Sequence, residues 1–149
     1  MMRQTKTNRG RERGATLVEF AIGATVFLTM MFAVIEFGRA LWVHNALSDA
    51  ARRGARYAVV HNAGDAAAVK NVVVYGNAAG SGTPLVNDLK TSNVNVTYSG
   101  FGLTDGTATV TITNYKFKFV IPIVSTSIQM PNYSTTLTGE SAGLIPANL

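Results

Sequence analysis

Residues 13–32 read RGATLVEFAIGATVFLTMMF, and the fold turns on how this stretch is taken. Behind Glu19 come sixteen uncharged residues, Phe20 to Ile35, and Ala15 to Val18 extend the apolar run in front of it. Together residues 15–35 make a 21-residue segment with one charge. A membrane-spanning helix needs about 20. At ~1.5 Å per residue the charge-free part covers about 24 Å of a ~30 Å hydrocarbon layer, so Glu19 or Glu36 lies near or inside its boundary. A charge at membrane depth costs roughly 2.5 to 3.5 kcal/mol on insertion scales, and such residues tend to be paired and functional.

The flanks orient the segment. Arg3, Lys6, Arg9, Arg11 and Arg13 against Glu12 give the first fourteen residues a charge of +4, most of the +5 carried by the whole chain. Only Arg39 follows within fifteen residues of Glu36. The basic side stays cytoplasmic, which places the C-terminal part outside. From Asn62 onward, Lys70, Lys90, Lys116 and Lys118 cancel Asp65, Asp88, Asp105 and Glu140. A nucleic-acid partner would call for a basic patch on the folded part, so that class is set aside. With no cysteine there is no disulfide framework and no thiol chemistry.

Beyond the apolar run the helical pattern continues through EFGRALWVHNALSDAARRGARYAVVH, residues 36–61, which contains no proline. One long helix is expected over roughly 15–60. Ala46, Ala50, Gly54 and Ala58 recur every four residues and form a narrow strip of tiny side chains. Such a strip admits close backbone approach, either by neighbouring helices in an assembly or by the protein's own sheet. Trp42 falls where an interfacial indole belongs, and Glu36 is expected among the outer head groups near Arg39.

The remainder reads as a small antiparallel head. Residues 65–75, DAAAVKNVVVY, suit a short helix capped by Asp65, although Val72 to Val74 suit a strand equally well. GNAAGSGTP, residues 76–84, reads as a flexible loop. VNVTYS and TATVTIT, residues 94–99 and 107–113, alternate apolar and polar around a loop holding Asp105 and Gly106, which is a hairpin signal. In YKFKFVIP, residues 115–122, the apolar parity has shifted across Asn114, so a bulge or turn is expected there. A last strand is expected at about 132–138, ahead of a Gly- and Pro-containing tail. The fold class is α+β: a long N-terminal helix followed by a small antiparallel β-sheet head.

Catalytic patterns are missing. His44 and His61 stand without a second histidine at three- or four-residue spacing, GNAAGSG lacks the Gly-Lys-Ser/Thr ending of a phosphate loop, and no G-x-S-x-G occurs. The reading is of a non-enzymatic protein without cofactor or metal.

The sharpest signal is Gly14 with Glu19 at the fifth position after it, set between a basic leader and an apolar helix. This arrangement resembles the processing site of type IV prepilins, which a membrane peptidase cuts on the cytoplasmic face after the glycine. Glycine leaves the scissile bond unobstructed, and cutting creates a new α-amine on Ala15 at the membrane boundary. That amine can pair with Glu19 of a neighbouring subunit and offset the carboxylate's desolvation only on assembly.

RGATLVEFAI, AARRGARYA at 50–58, VVVYGN before the glycine-rich loop, ATVTITNYKFKF and YSTTLTGES together resemble the TadE-like family. Phe20 stands where major pilins of such systems carry tyrosine. The resemblance implies a pseudopilin of a tight-adherence pilus system, placed in the bacterial inner membrane by one span. Gly14 and Ala15 would flank the cut, and Glu19 would be the assembly carboxylate. The implied partners are the lipid bilayer, a prepilin peptidase, the major pilin and other pseudopilins, and the inner-membrane assembly platform. The expected organisation is a leader at 1–14, a transmembrane helix at 15–37, its continuation at 38–61 and an extracytoplasmic head at 62–149. The competing expectation is an uncleaved single-pass anchor displaying a small β-rich binding domain.

Overall fold

The computed structural model describes residues 9–61, 63–100, 106–120 and 127–139. The first eight residues of the leader, Asp105 of the hairpin loop and the tail from residue 140 lie outside the described residues. Helix α1 runs Arg9–Val60, 52 residues without a break. It begins inside the leader, so residues 9–13 are helical. Extending an existing helix adds one hydrogen bond per residue fixed, and Gly10 and Gly14 oppose this by only about 1 kcal/mol each. At its far end the His61 ring Nδ1 donates to the Tyr57 carbonyl at 3.0 Å, and the two rings stack at 3.7 Å. A carbonyl that helix termination leaves without a partner is thereby satisfied.

The chain divides into two bodies, residues 1–38 and 39–149. The first consists of helical chain whose large apolar side chains are exposed: Leu17, Phe20, Ile22, Phe27, Met30 and Phe32 among them. Among the described residues α1 is the one helix long and apolar enough to cross a membrane. Two threonines in this stretch are satisfied locally. Thr25 Oγ1 donates to the Ala21 carbonyl and Thr29 Oγ1 to the Thr25 carbonyl, both at 2.8 Å. This back-bonding answers hydroxyls that lipid cannot.

The second body is built on alternation. A short 3-10 turn, Ala63–Asp65, leads into α2, Ala66–Tyr75. The helix prevails over the strand alternative because Val69, Val72, Val73 and Val74 are all buried, which a helix face achieves and an alternating strand would not. Asp65 occupies the N-cap without a side-chain cap hydrogen bond. Gly76 ends α2 at φ 78, its N–H reaching the Val72 carbonyl at 3.0 Å, a left-handed cap that favours glycine.

The loop after α2 is not the flexible tether its composition suggests. Asn71 Nδ2 donates to the Ala78 carbonyl at 3.0 Å, Asn77 Nδ2 to the Ser81 carbonyl at 2.8 Å, and the Leu85 N–H to the Val74 carbonyl at 2.8 Å. Two asparagine amides thus replace the backbone ladder that a loop lacks.

After a second 3-10 turn, Thr91–Asn93, come β1 (Val94–Ser99), β2 (Thr107–Ile112), β3 (Lys116–Lys118), β4 (Ser127–Gln129) and β5 (Tyr133–Thr138). A three-stranded antiparallel sheet has the order β1-β2-β5, and β3 pairs with β4 separately. The register aligns Val94 with Ile112 and Tyr133, Val96 with Val110 and Thr135, and Tyr98 with Ala108 and Leu137 on the inner face. The outer face is Asn, Thr and Ser throughout, with Thr109 bonded to Thr136 at 2.8 Å and Thr111 to Ser134 at 3.0 Å. The expected irregularity at Asn114 is a left-handed residue at φ 57. Asn93 Nδ2 clamps it by donating to the carbonyls of Thr113 and Asn114. Buried residues are even-numbered in β2 and odd-numbered after it, at Tyr115 and Phe117.

Candidate functional site

Gly14 lies within α1, and a Cβ built there would meet nothing within 4 Å. Ala15 and Glu19 are four residues apart on the same helix, hence on one face. Glu19 is exposed, and its carboxylate has no hydrogen-bond or ion-pair partner among the described residues. Ala15 and Glu19 therefore share one exposed face, with Gly14 on the adjoining side of the helix and nothing against it.

The small-residue strip has a different setting. Ala50 and Ala58 are fully buried in the core of the second body, Gly54 is buried, and Ala46 packs against the same core half-exposed. A Cβ on Gly54 would lie 2.3 Å from Val73 Cγ2 and 3.3 Å from Val110 Cγ1. At Gly54 the strip thus lies directly against Val73 of α2 and Val110 of β2. Of the two uses the sequence leaves open, the chain's own head occupies this surface.

Glu36, expected at the head-group boundary, is 6% exposed and is the buried charged residue among those described. Trp42 and Leu41 are exposed. Arg39 opens the second body: its guanidinium carbon sits 4.5 Å from the Phe117 ring centroid, and Nη2 donates to the Lys118 carbonyl. Lys118 Nζ in turn meets Asp88 Oδ2 at 2.8 Å. The hydrogen bond from Lys118, and then its charge, hold the Asp88 carboxyl below its usual range, with Lys90 adding a smaller pull. Asp88 itself sits at φ 63, a left-handed conformation that aspartate tolerates better than most residues. Sequence reading missed this cluster. Its one legible signal is the lysine alternation in YKFKF.

The histidines are spent structurally. His44 Nδ1 and the Tyr133 hydroxyl lie 2.9 Å apart with rings in edge contact at 5.2 Å, and His61 caps α1. Burial pushes the Tyr133 and Tyr115 hydroxyls up from the ordinary phenolic range. No group of three metal-ligating side chains occurs among the described residues.

Among the described residues one exposed apolar helix of membrane-spanning length is joined in sequence to a small α+β head, the build of a single-span membrane protein. Residues 14–56 match the family model described as TadE-like protein. Over this segment the chain is similar to TadE-like proteins. The matched segment opens at Gly14 and closes at Arg56, before the sheet begins. Neither a curated protein nor a solved structure gives a significant match.

Proposed function

We propose that the protein is a pseudopilin, a non-enzymatic minor subunit needed to assemble a tight-adherence pilus. In this reading a prepilin peptidase removes the leader after Gly14, and Glu19 then pairs with the new α-amine of a neighbouring subunit. The observation that carries it is positional. Gly14 and Glu19 occupy the first turns of an exposed apolar helix, and the TadE-like match begins at that same glycine.

Physics supports each step. The basic leader holds the N-terminus in the cytoplasm, and α1 presents its apolar side chains to lipid. The Gly14–Ala15 bond lies inside α1, so a peptidase that grips an extended chain must unwind a local turn. Two glycines in that stretch lower the cost by about 1 kcal/mol each relative to alanine. Once cut, the amine and Glu19 exchange two separate desolvation penalties for one ion pair. The head, residues 62–149, faces the extracytoplasmic side of the inner membrane, where it meets the major pilin, other pseudopilins and the assembly platform.

Intact-mass measurement of the membrane-derived protein tests the cut: residues 1–14 should be missing, and a retained leader favours a simple anchor. Glu19→Ala tests the pairing. It should leave insertion and head folding intact while abolishing piliation, and a wild-type number of pili in that variant sinks the pairing.

A further inference from the structure

We propose that the groove between α1 and the outer edge of β5 takes up an extended acidic segment of another protein, which adds a strand to the sheet and sets a carboxylate against Arg52. The inference concerns the second body alone and goes beyond the reading of Gly14 and Glu19.

The edge supplies the backbone half of the site. β5 ends the sheet order β1-β2-β5, so one of its sides has no strand against it among the described residues. Just past β5 the Gly139 N–H donates to the Gly106 carbonyl at 2.9 Å, which fixes the phase of the ladder. Directly opposed residues of an antiparallel pair alternate between exchanging both bonds and exchanging none, so Ala108 with Leu137 and Val110 with Thr135 make the bonds between β2 and β5. The N–H and C=O groups of Ser134 and Thr136 therefore point away from β2, out of the sheet edge. Natural edges are blunted by charged residues, proline or a bulge. YSTTLT, residues 133–138, holds neither charge nor proline, and its register is unbroken. Such an edge is what strand addition uses.

The groove supplies the side-chain half. About 220 Å³ of open space lies between Ser48, Ala51 and Arg52 of α1 and residues 132–135 at the start of β5. It is held open in advance, because His44 Nδ1 and the Tyr133 hydroxyl, 2.9 Å apart, tie β5 to α1 beside it. Arg53 is committed to Asp49 at 3.3 Å and Arg39 to the Phe117 ring. Arg52 is exposed and has no hydrogen-bond or ion-pair partner among the described residues. Arg56, one turn further along α1 and also exposed, adds positive charge on the same side. A guanidinium accepts no hydrogen bond and presents a planar fork of donors that a carboxylate matches. Outward amides call for a peptide, and the free guanidinium calls for an acidic one.

The probe is a short peptide of alternating threonine and valine with glutamate at its centre, and its glutamine counterpart is the control. Isotope-labelled full-length protein in detergent micelles reports each backbone amide by NMR. Before peptide is added, the amides of Ser134 and Thr136 should exchange freely with solvent while those of Thr135 and Leu137 are protected. The glutamate peptide should shift and protect the first two, and should bind about tenfold more tightly than the glutamine peptide through its charge-assisted hydrogen bond. Arg52→Gln should erase that difference. Ser134→Pro removes an outward N–H without touching the ladder to β2 and should abolish binding of both peptides, with the protection of Thr135 and Leu137 checking that either variant folds. Protection of Ser134 and Thr136 in the free protein would overturn the proposal, assigning the edge to a second copy if dilution releases it and to the chain itself if dilution does not. Equal affinity for the two peptides, binding that leaves both amides unmoved, or no binding would overturn it as well. None of these readouts involves cleavage after Gly14 or piliation, so the pseudopilin reading stands or falls separately.

Discussion

Gly54→Ala is the most informative single change, because it weighs the two uses of the small-residue strip against each other. The added Cβ would lie 2.3 Å from Val73 Cγ2, more than an ångström inside normal carbon contact at ~3.5–4.0 Å. Val73 is fully buried on α2, and a helical valine holds nearly one rotamer, so its methyl has nowhere to swing. Overpacking of this kind costs typically 1–3 kcal/mol. Alanine returns about 1 kcal/mol through helix propensity. With the overlap placing the steric cost toward its upper end, the net is a loss of roughly 1–2 kcal/mol. For a body of this size that lowers Tm by roughly 4–8 °C, read by near-UV circular dichroism of the full chain in detergent. Val73→Ala alone should cost roughly 2–3 kcal/mol, from two methyl groups and the void they leave. Combined with Gly54→Ala it should cost less than the sum of the singles, because the new Cβ fills that void. A Gly54→Ala protein melting at or above the wild type would refute the reasoning and return the strip to neighbouring helices.

The Asp88–Lys118 pair predicts a pH signature. Lys118 depresses the folded-state pKa of Asp88, so its stabilisation is present above the unfolded value of 3.8 and lost as pH falls through the lower folded value. The Tm difference between wild type and Lys118→Gln should thus be constant near neutrality and shrink below about pH 4; a difference unchanged at pH 3 contradicts the pairing. Tyr115→Phe removes a hydroxyl that donates to the Asn87 carbonyl at 2.8 Å and should cost about 0.5–1.5 kcal/mol by thermal melting. Asn114 holds φ 57, so Asn114→Val should destabilise by about 1–2 kcal/mol, while Asn114→Gly stays within a few tenths apart from the lost side chain. Equal melting of the two variants would show that the turn does not need a left-handed residue.

The spanning helix, the β1–β2 hairpin and β5 were legible because each is governed by a period that a sequence displays directly. Sixteen uncharged residues fix a lipid segment, and strict alternation fixes an inner face. The parity change across Asn114 was visible for the same reason, since a slip of one residue moves every side chain to the other face. β4 was not legible. It has three residues, all exposed, and it exists through pairing with β3, which no local pattern encodes. The pinned loop at 76–84 escaped notice because composition speaks for its glycines while the hydrogen bonds come from Asn71 and Asn77, one of them a full α2 turn away in sequence. At the candidate site Gly14 and Glu19 were singled out by their resemblance to a prepilin processing site, a reading that remains a proposal. The Arg39–Phe117–Lys118–Asp88 cluster was not, because its members lie up to 79 residues apart.

The polar groups of the apolar stretch differ in how they are answered, and under the proposed pairing this difference is what would give Glu19 its leverage. Thr25 and Thr29 each donate to a carbonyl one turn back, so lipid imposes little on them. A carboxylate has no donor of its own when ionised and cannot be answered by its own helix interior, whose N–H groups are already bonded. In the proposed reading, a partner for Glu19 within the hydrocarbon would then come from a helix N-terminus or from another chain rather than from the head groups. Cleavage after Gly14 would supply both at once, an uncapped helix start and a positive amine. A penalty of about 2.5–3.5 kcal/mol relieved only by pairing corresponds to roughly two orders of magnitude in the balance between dispersed and assembled subunits. Such a bias needs no change in head structure, so a Glu19→Ala protein with a wild-type melting curve and no pili is the outcome that physical separation of the two roles requires.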